Sequence, residues 1–235
     1  MARAVPVRTR ISVEAVEARE VRIPPLGLAG TLNMPSVPAA LVVFAHGSGS
    51  SRFSPRNMFV AEGLNENGMA TLLFDLLTTA EEQDRANVFN IPLLAERLIN
   101  AVHWIAREPD LARLPLGFFG ASTGAAAALV AAARLGNRIG AVVSRGGRPD
   151  LAGAALEEVS APTLLIVGGA DCDVIELNEQ ALERLRAPKA LKIVPGASHL
   201  FPEPGTLEAV VAHAARWFIR YLGSGHATAR AAEEE

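Results

Sequence analysis

Three residues in this chain have the types and the order that activate a hydroxyl: Ser122, Asp171 and His199. A serine hydroxyl is a weak nucleophile at neutral pH. A neutral imidazole can take its proton, and a carboxylate can hold that imidazole in the right tautomer and stabilise the imidazolium that forms. Ser122 stands at the centre of Gly120-Ala121-Ser122-Thr123-Gly124, a Gly-x-Ser-x-Gly pentapeptide. The apolar segment 116–119 precedes it and reads as a strand; the alanine-rich segment 122–135 follows and reads as a helix. A serine on a sharp strand-to-helix turn is a nucleophile elbow. Small residues at 120, 121 and 124 let strand and helix approach closely, so the hydroxyl stands clear at the sheet edge.

The other two groups sit in loops that follow strands. Asp171 closes Val167-Gly168-Gly169-Ala170-Asp171, and His199 closes Pro195-Gly196-Ala197-Ser198-His199. Asp173 is the rival acid, although its place just before a helix beginning near 174 suits an N-terminal cap better. A fourth loop, His46-Gly47-Ser48-Gly49-Ser50-Ser51-Arg52, has glycines that let backbone N–H groups turn inward, as an oxyanion hole requires. Thr123 is expected to supply one N–H and Ser48 the second, with Gly49 as competitor. His46 is expected to bond within its own loop, and His103 and His213 to lie on helices in structural roles. Cys172 reads as a small semi-buried side chain. No set of His, Cys, Asp and Glu has metal-ligand spacing, and Gly47-Ser48-Gly49 lacks the lysine and spacing of a phosphate loop.

Ser144-Arg145-Gly146-Gly147-Arg148-Pro149-Asp150 follows another strand at the same end of the sheet as Ser122. Arg145 and Arg148 are either solvated turn residues or receptors for a substrate carboxylate or other anion, which the planar guanidinium suits. Arg52 and Arg56 would extend that positive rim. Gly49 belongs to the same substrate-binding expectation.

The elements that must position these groups are legible as apolar runs. Strands are expected at 41–45, 70–76, 116–119, 140–144, 163–167 and 191–194, with a hairpin of edge strands across 21–34. Helices are expected at 55–67, 88–107, 122–135, 150–158, 174–186 and from Leu207 to Tyr221. Strands alternating with helices imply an α/β fold with a mostly parallel sheet covered on both faces, whose function collects at the strands' C-terminal ends. The segment between 144 and 163 is too short for a cap domain, so an open site is expected. Residues 1–20 read as an extension, 21–222 as one domain and 223–235 as a disordered tail that contains His226.

Composition excludes several classes. The chain has 235 residues, half of them hydrophobic, and a net charge of −3, which gives no reason to expect nucleic acid or an anionic membrane as partner. The apolar run 125–133 is far short of a membrane span, and residues 1–20 carry charge throughout, unlike a signal peptide. A single cysteine suits a reducing cytoplasm.

Phe44-Ala45-His46-Gly47-Ser48-Gly49-Ser50, Gly120-Ala121-Ser122-Thr123-Gly124, Gly168-Gly169-Ala170-Asp171 and Gly196-Ala197-Ser198-His199 together resemble the α/β-hydrolase superfamily. The nearest subgroup is the dienelactone-hydrolase-like proteins, including those fused elsewhere to phosphoribosyltransferase domains. The resemblance implies hydrolysis of small esters or lactones with no cofactor and a small-molecule ester as the partner. Dienelactone hydrolase itself uses a cysteine nucleophile, whereas position 122 is serine, which favours a general serine carboxylesterase. A peptidase, thioesterase or acyltransferase would use the same triad, and a hydrolase-fold binding protein would need none of it.

Overall fold

The central strands are runs of apolar residues with almost no polar interruption, so each must be covered on both faces. The computed structural model describes residues 16–223 and places these runs side by side in an eight-stranded sheet. The strands are β1 (Glu17–Ile23), β2 (Leu28–Met34), β3 (Leu41–Ala45), β4 (Ala70–Phe74), β5 (Leu116–Ala121), β6 (Ile139–Arg145), β7 (Thr163–Gly168) and β8 (Lys189–Val194). Their spatial order is β1-β2-β4-β3-β5-β6-β7-β8. The pairs β1–β2 and β2–β4 are antiparallel and all later pairs are parallel. This is the doubly covered α/β sheet the alternation implies, with no separate cap domain among the described residues.

Alternation along each strand divides the core in two. Leu41, Val43 and Phe118 face one layer, and Val42, Phe44 and Phe119 face the other. The first layer is formed by α4 (Ile91–Ile105), α5 (Thr123–Leu135) and α6 (Cys172–Arg184); the second by α1 (Pro55–Glu66) and α7 (Thr206–Leu222). Phe44 and Phe119 stack across β3 and β5 with ring centroids 4.8 Å apart, which ties the strand before the glycine-rich loop to the strand before the elbow. Residues Ala125–Ala128 on α5 are fully buried. Their short side chains bring the helix axis down onto the sheet.

Several boundaries differ from the sequence expectation. The hairpin is present, but only β1 is an edge; β2 lies between β1 and β4. The strand begins at Glu17, inside the segment read as an extension. Helix α4 starts at Ile91 rather than 88 because Asn90 accepts the Leu93 N–H and caps it. Two short helices, α2 (Thr79–Glu82) and α3 (Arg85–Val88), occupy the stretch before it. The helix near 150–158 is a 3₁₀ segment broken at Gly153, whose φ is 56°. Helix α6 begins at Cys172, two residues earlier than expected. Apart from residues 16–20 and 223, the expected extension and tail, with His226, lie outside the described residues. Among those residues no helix is long and apolar enough to cross a membrane.

Candidate active site

Ser122 is the residue between β5 and α5, and its backbone is held at φ 51°, ψ −124°. Positive φ is rare outside glycine and costs about 1–3 kcal/mol, so the surroundings must enforce it. They do so through backbone bonds. Ser122 donates its N–H to the Arg145 carbonyl at 3.3 Å, and its carbonyl accepts from the Arg148 N–H at 3.1 Å. The helix that starts here shows what the hydroxyl is not used for. Ser122 occupies the N-cap position of α5, yet makes no side-chain capping bond. A serine placed there only to cap would accept an N–H from the first turn.

The close approaches at this corner demand glycine. A Cβ added at Gly124 would stand 2.2 Å from the Ala45 carbonyl oxygen, and one at Gly120 would stand 2.4 Å from Ala125 Cα. At Gly47 it would meet Ser122 Cβ at 2.9 Å, with Ser122 Oγ at 3.6 Å. The glycine-rich loop therefore lies directly against the elbow.

His199 is presented by a turn in which Phe201 donates its N–H to the Ser198 carbonyl at 3.1 Å. Phe201 is buried and has φ 56°. Its carbonyl accepts the Thr206 hydroxyl, and Glu203 accepts the Ser198 N–H at 3.0 Å. Hydrogen bonds from Ser198 hold the Glu203 carboxyl below the usual glutamate range. His199 Nδ1 and Asp171 Oδ2 are 2.7 Å apart. A carboxylate accepts, so Nδ1 carries a proton, which leaves Nε2 as the lone-pair nitrogen of the neutral tautomer. The start of α6 puts Asp171 and Asp173 in different places. Asp171 is the residue before the helix and spends its carboxylate on His199 rather than on a cap, while Asp173 lies in the first turn.

Ser122 and the His199 imidazole flank one turn. A Cβ at Gly146 would lie 3.8 Å from His199 Cε1, while Arg145 and Arg148 on either side bond the Ser122 backbone. Asn178, fully buried on α6, donates to the Gly147 carbonyl at 3.0 Å and to the Val174 carbonyl at 2.7 Å, pinning the turn from below. No sequence signal singles out Asn178. It lies on a helical face with the spacing of an ordinary core position.

The two residues expected to form the oxyanion hole touch each other. Ser48 donates its backbone N–H to Thr123 Oγ1 at 3.0 Å, so that amide is turned toward the elbow and partnered there. Gly49 has φ 67°, and a bond from Ser50 N–H to the Gly47 carbonyl closes the turn. His46 accepts the Leu76 N–H at Nε2 and donates from Nδ1 to the Gly47 carbonyl. It bonds within its own loop and also braces the loop against the end of β4. Burial pushes its pKa below the ordinary histidine value. His103 and His213 lie on α4 and α7, and Cys172 is exposed.

The arginines separate into different environments. Arg148 makes a two-pronged pair with Asp150, at 2.9 and 2.8 Å. Arg52 pairs with Asp75. Arg145 is 6% exposed and ends β6 beside Ala121. One nitrogen donates to Asn57 at 3.3 Å, the guanidinium stands 5.9 Å from the Phe201 ring centre, and Nε and Nη1 are buried without a partner. Burial, followed by the nearby Arg56, pulls its pKa down to about 10. Arg56 also buries an unpartnered Nε.

The chain as a whole is similar to a recognisable group of proteins. Residues 28–223 match the model of the dienelactone hydrolase family. A crystal structure of a dienelactone hydrolase from Anabaena variabilis is 54% identical, covers 89% of this chain and 99% of that one, and superposes with a TM-score of 0.84. Est1E from Butyrivibrio proteoclasticus, at 18% identity, shares the fold over 87% of this chain and 98% of its own, with a TM-score of 0.72. A Mycobacterium tuberculosis (H37Rv) protein carrying a provisional phosphoribosyl transferase name is 61% identical over 198 residues. The match covers 84% of this chain but 45% of that protein, so the chain spans about half the length of the curated relatives it matches.

Proposed function

From the premise that the chain belongs to the dienelactone hydrolase family, we propose that it is a serine hydrolase that cleaves small carboxylic esters or lactones through an acyl-serine intermediate. In this reading His199 Nε2 takes the Ser122 hydroxyl proton as Oγ attacks the carbonyl carbon. The carbonyl oxygen becomes an oxyanion held by backbone N–H groups of Thr123 and either of Ser48, which must first release Thr123 Oγ1, or of Gly49. Collapse of the tetrahedral species breaks the bond to the leaving oxygen, which receives the proton back from His199. Water then loses a proton to the same nitrogen, attacks the acyl carbon, and releases the acid and Ser122. Asp171 keeps the imidazole in the tautomer that makes this possible.

The observation that carries the reading is the 2.7 Å contact between Asp171 Oδ2 and His199 Nδ1, set against the Gly146 turn whose other flank bonds the strained, uncapped Ser122. The test is labelling with a fluorophosphonate, followed by mapping of the adduct and by turnover of p-nitrophenyl acetate. An adduct on Ser122 with ester turnover is expected. Labelling that survives unchanged in Ser122→Ala overturns the assignment. A panel of thioesters, amides and competing alcohols separates simple hydrolysis from thioesterase, peptidase and acyltransferase chemistry, and a protein that neither labels nor turns over is a binding module.

The same reading assigns Arg145 to recognition of an anionic group on the substrate. Holding a guanidinium down at about 10 rather than 12.5 costs roughly 3 kcal/mol. Two unpartnered N–H groups accompany that cost. Arg148, neutralised by Asp150, is the weaker of the two candidates.

A further inference from the structure

A cavity of about 390 Å³ lies beside the glycine-rich loop. One wall is the backbone of residues 47–51; the other is apolar, formed by Leu76 and Leu77 after β4, Val88 on α3 and Leu94 on α4. Its single charged lining side chain, Glu82, is exposed. His46 also lines it, with both ring nitrogens already engaged. Gly47 lines this cavity and also packs on Ser122, so the glycine-rich loop is the element that the cavity and the elbow share.

Sheet order gives the cavity a direction. β3 and β4 lie on one side of β5, whose end carries Ser122; β6, β7 and β8 lie on the other, and His199 follows β8. In ester cleavage the leaving oxygen must receive its proton from the histidine, so the leaving group lies on the His199 side. The acyl group then points the opposite way, over β3 and β4. We infer that this cavity is the acyl pocket and that it accepts a compact, apolar, uncharged acyl group. The inference rests on the serine hydrolase reading above. Its volume falls toward the lower end of the roughly 300–1,000 Å³ range of small-molecule sites, and its apolar wall together with Glu82 disfavours an anionic acyl chain.

The apolar wall is fixed rather than loose. Thr78 and Glu81 cap α2 reciprocally, through Thr78 N–H to Glu81 Oε2 at 2.8 Å and Glu81 N–H to Thr78 Oγ1 at 3.2 Å. Buried Arg97 of α4 reaches Glu81 at 2.7 Å, and Asn87 donates to the Glu81 carbonyl at 3.1 Å. Glu81 thus ties α2, α3 and α4 together around Val88 and Leu94, and a wall tied in this way discriminates by size.

The test is an acyl series of p-nitrophenyl esters (acetate, butyrate, hexanoate, benzoate) set against an alcohol series of acetates. Both are run on the intact chain and on Val88→Phe and Val88→Ala. For Val88→Phe the hexanoate-to-acetate ratio of kcat/KM should fall at least tenfold, within the roughly 10- to 200-fold discrimination available per methylene-sized change. For Val88→Ala it should rise, and the alcohol series should keep its order in both. Ester turnover and Ser122 labelling with an acyl profile that neither variant moves, or with the alcohol profile moved instead, overturns the pocket alone. Absence of both turnover and labelling overturns the hydrolase reading and the pocket with it.

Discussion

Replacing Gly124 by alanine separates the two halves of the proposed oxyanion site. The added Cβ would lie 2.2 Å from the Ala45 carbonyl oxygen and 2.6 Å from that of His46, whereas carbon–oxygen contacts begin at about 3.3 Å. Either the first turn of α5 or the end of β3 must move by about 1 Å to restore that contact distance. The first carries the Thr123 amide and hydroxyl; the second leads into the loop whose Ser48 N–H bonds that hydroxyl. Neither can move without parting the donors. A misplacement of about 1 Å costs on the order of a hundredfold in rate, and loss of one oxyanion donor about 10²–10³-fold. Overpacking of this kind also destabilises by about 1–3 kcal/mol, a fall of roughly 2–12 °C in Tm for a domain of this size. The assay is kcat/KM for p-nitrophenyl acetate, the rate of fluorophosphonate labelling, and thermal melts followed by circular dichroism. Gly30→Ala is the control. Its Cβ would meet Phe74 Cβ at 2.9 Å where β2 pairs with β4, a milder clash with β2 three strands away from β5 in the sheet order, so it should lower Tm while leaving kcat/KM within about twofold, as expected of a mutation that moves no catalytic atom. A folded Gly124→Ala variant with the parent's kcat/KM, or a Gly30→Ala variant that loses as much activity, would refute the reasoning.

Four further outcomes are expected. Ser122→Ala and His199→Gln should each lower kcat by several orders of magnitude, and the double variant should lose no more than the worse single one, because the groups act as a unit; steady-state kinetics of the three variants checks this. Asp171→Asn should cost about 10⁴-fold in kcat by stabilising the wrong imidazole tautomer, while Asp173→Asn, lying in the first turn of α6, should leave kcat near the parent's. Stability should fall as pH drops below about 6.5, the reference histidine value, because the unfolded chain takes up a proton that buried His46, its pKa lowered, refuses; urea midpoints between pH 8 and 5 should show this slope, and His46→Gln should flatten it. Arg145→Met should raise the urea midpoint by removing an unpaired buried cation and at the same time lower the ratio of turnover of a carboxylate-bearing ester to its neutral analogue about ten- to a hundredfold; an unchanged ratio would leave Arg145 a structural group.

The parts of the site that follow strands were legible because a buried parallel strand declares itself by its apolar run, and its C-terminal loop is then fixed by position. That is why Ser122, Asp171, His199 and the 46–52 loop emerge in order from the chain alone. What escaped depends on contacts between distant residues. Nothing near Arg145 in sequence says that Asn57, 88 residues earlier, and Phe201 close over it. The turn Ser144–Asp150 reads as well as a solvated surface turn as it does as an anion receptor, because glycines and arginines suit both; in the fold β6 runs on through Arg145 and the Gly146 N–H bonds the Ile166 carbonyl. The bond between Ser48 and Thr123 joins residues 75 positions apart. By contrast, α2 carried a signal that was there to be used: Thr78-Thr79-Ala80-Glu81 is a capping box in plain sequence.

Two departures from local preference coincide at this corner of the sheet. Ser122 holds a backbone conformation that costs about 1–3 kcal/mol, and Arg145, one strand over, holds a buried charge at a cost of roughly 3 kcal/mol. Neither improves packing. Phe118 or Phe119 contributes more to stability by simple burial than either arrangement could, since truncating a buried phenylalanine costs about 3–5 kcal/mol. The two are also linked, because the Arg145 carbonyl accepts the Ser122 N–H, so the strand that buries the cation is the one that enforces the elbow. On the proposed reading, a strained serine next to a buried cation with no carboxylate partner suits a molecule that uses both: an ester carbonyl for the hydroxyl and an anionic group for the guanidinium, with its apolar acyl end directed over β3 and β4.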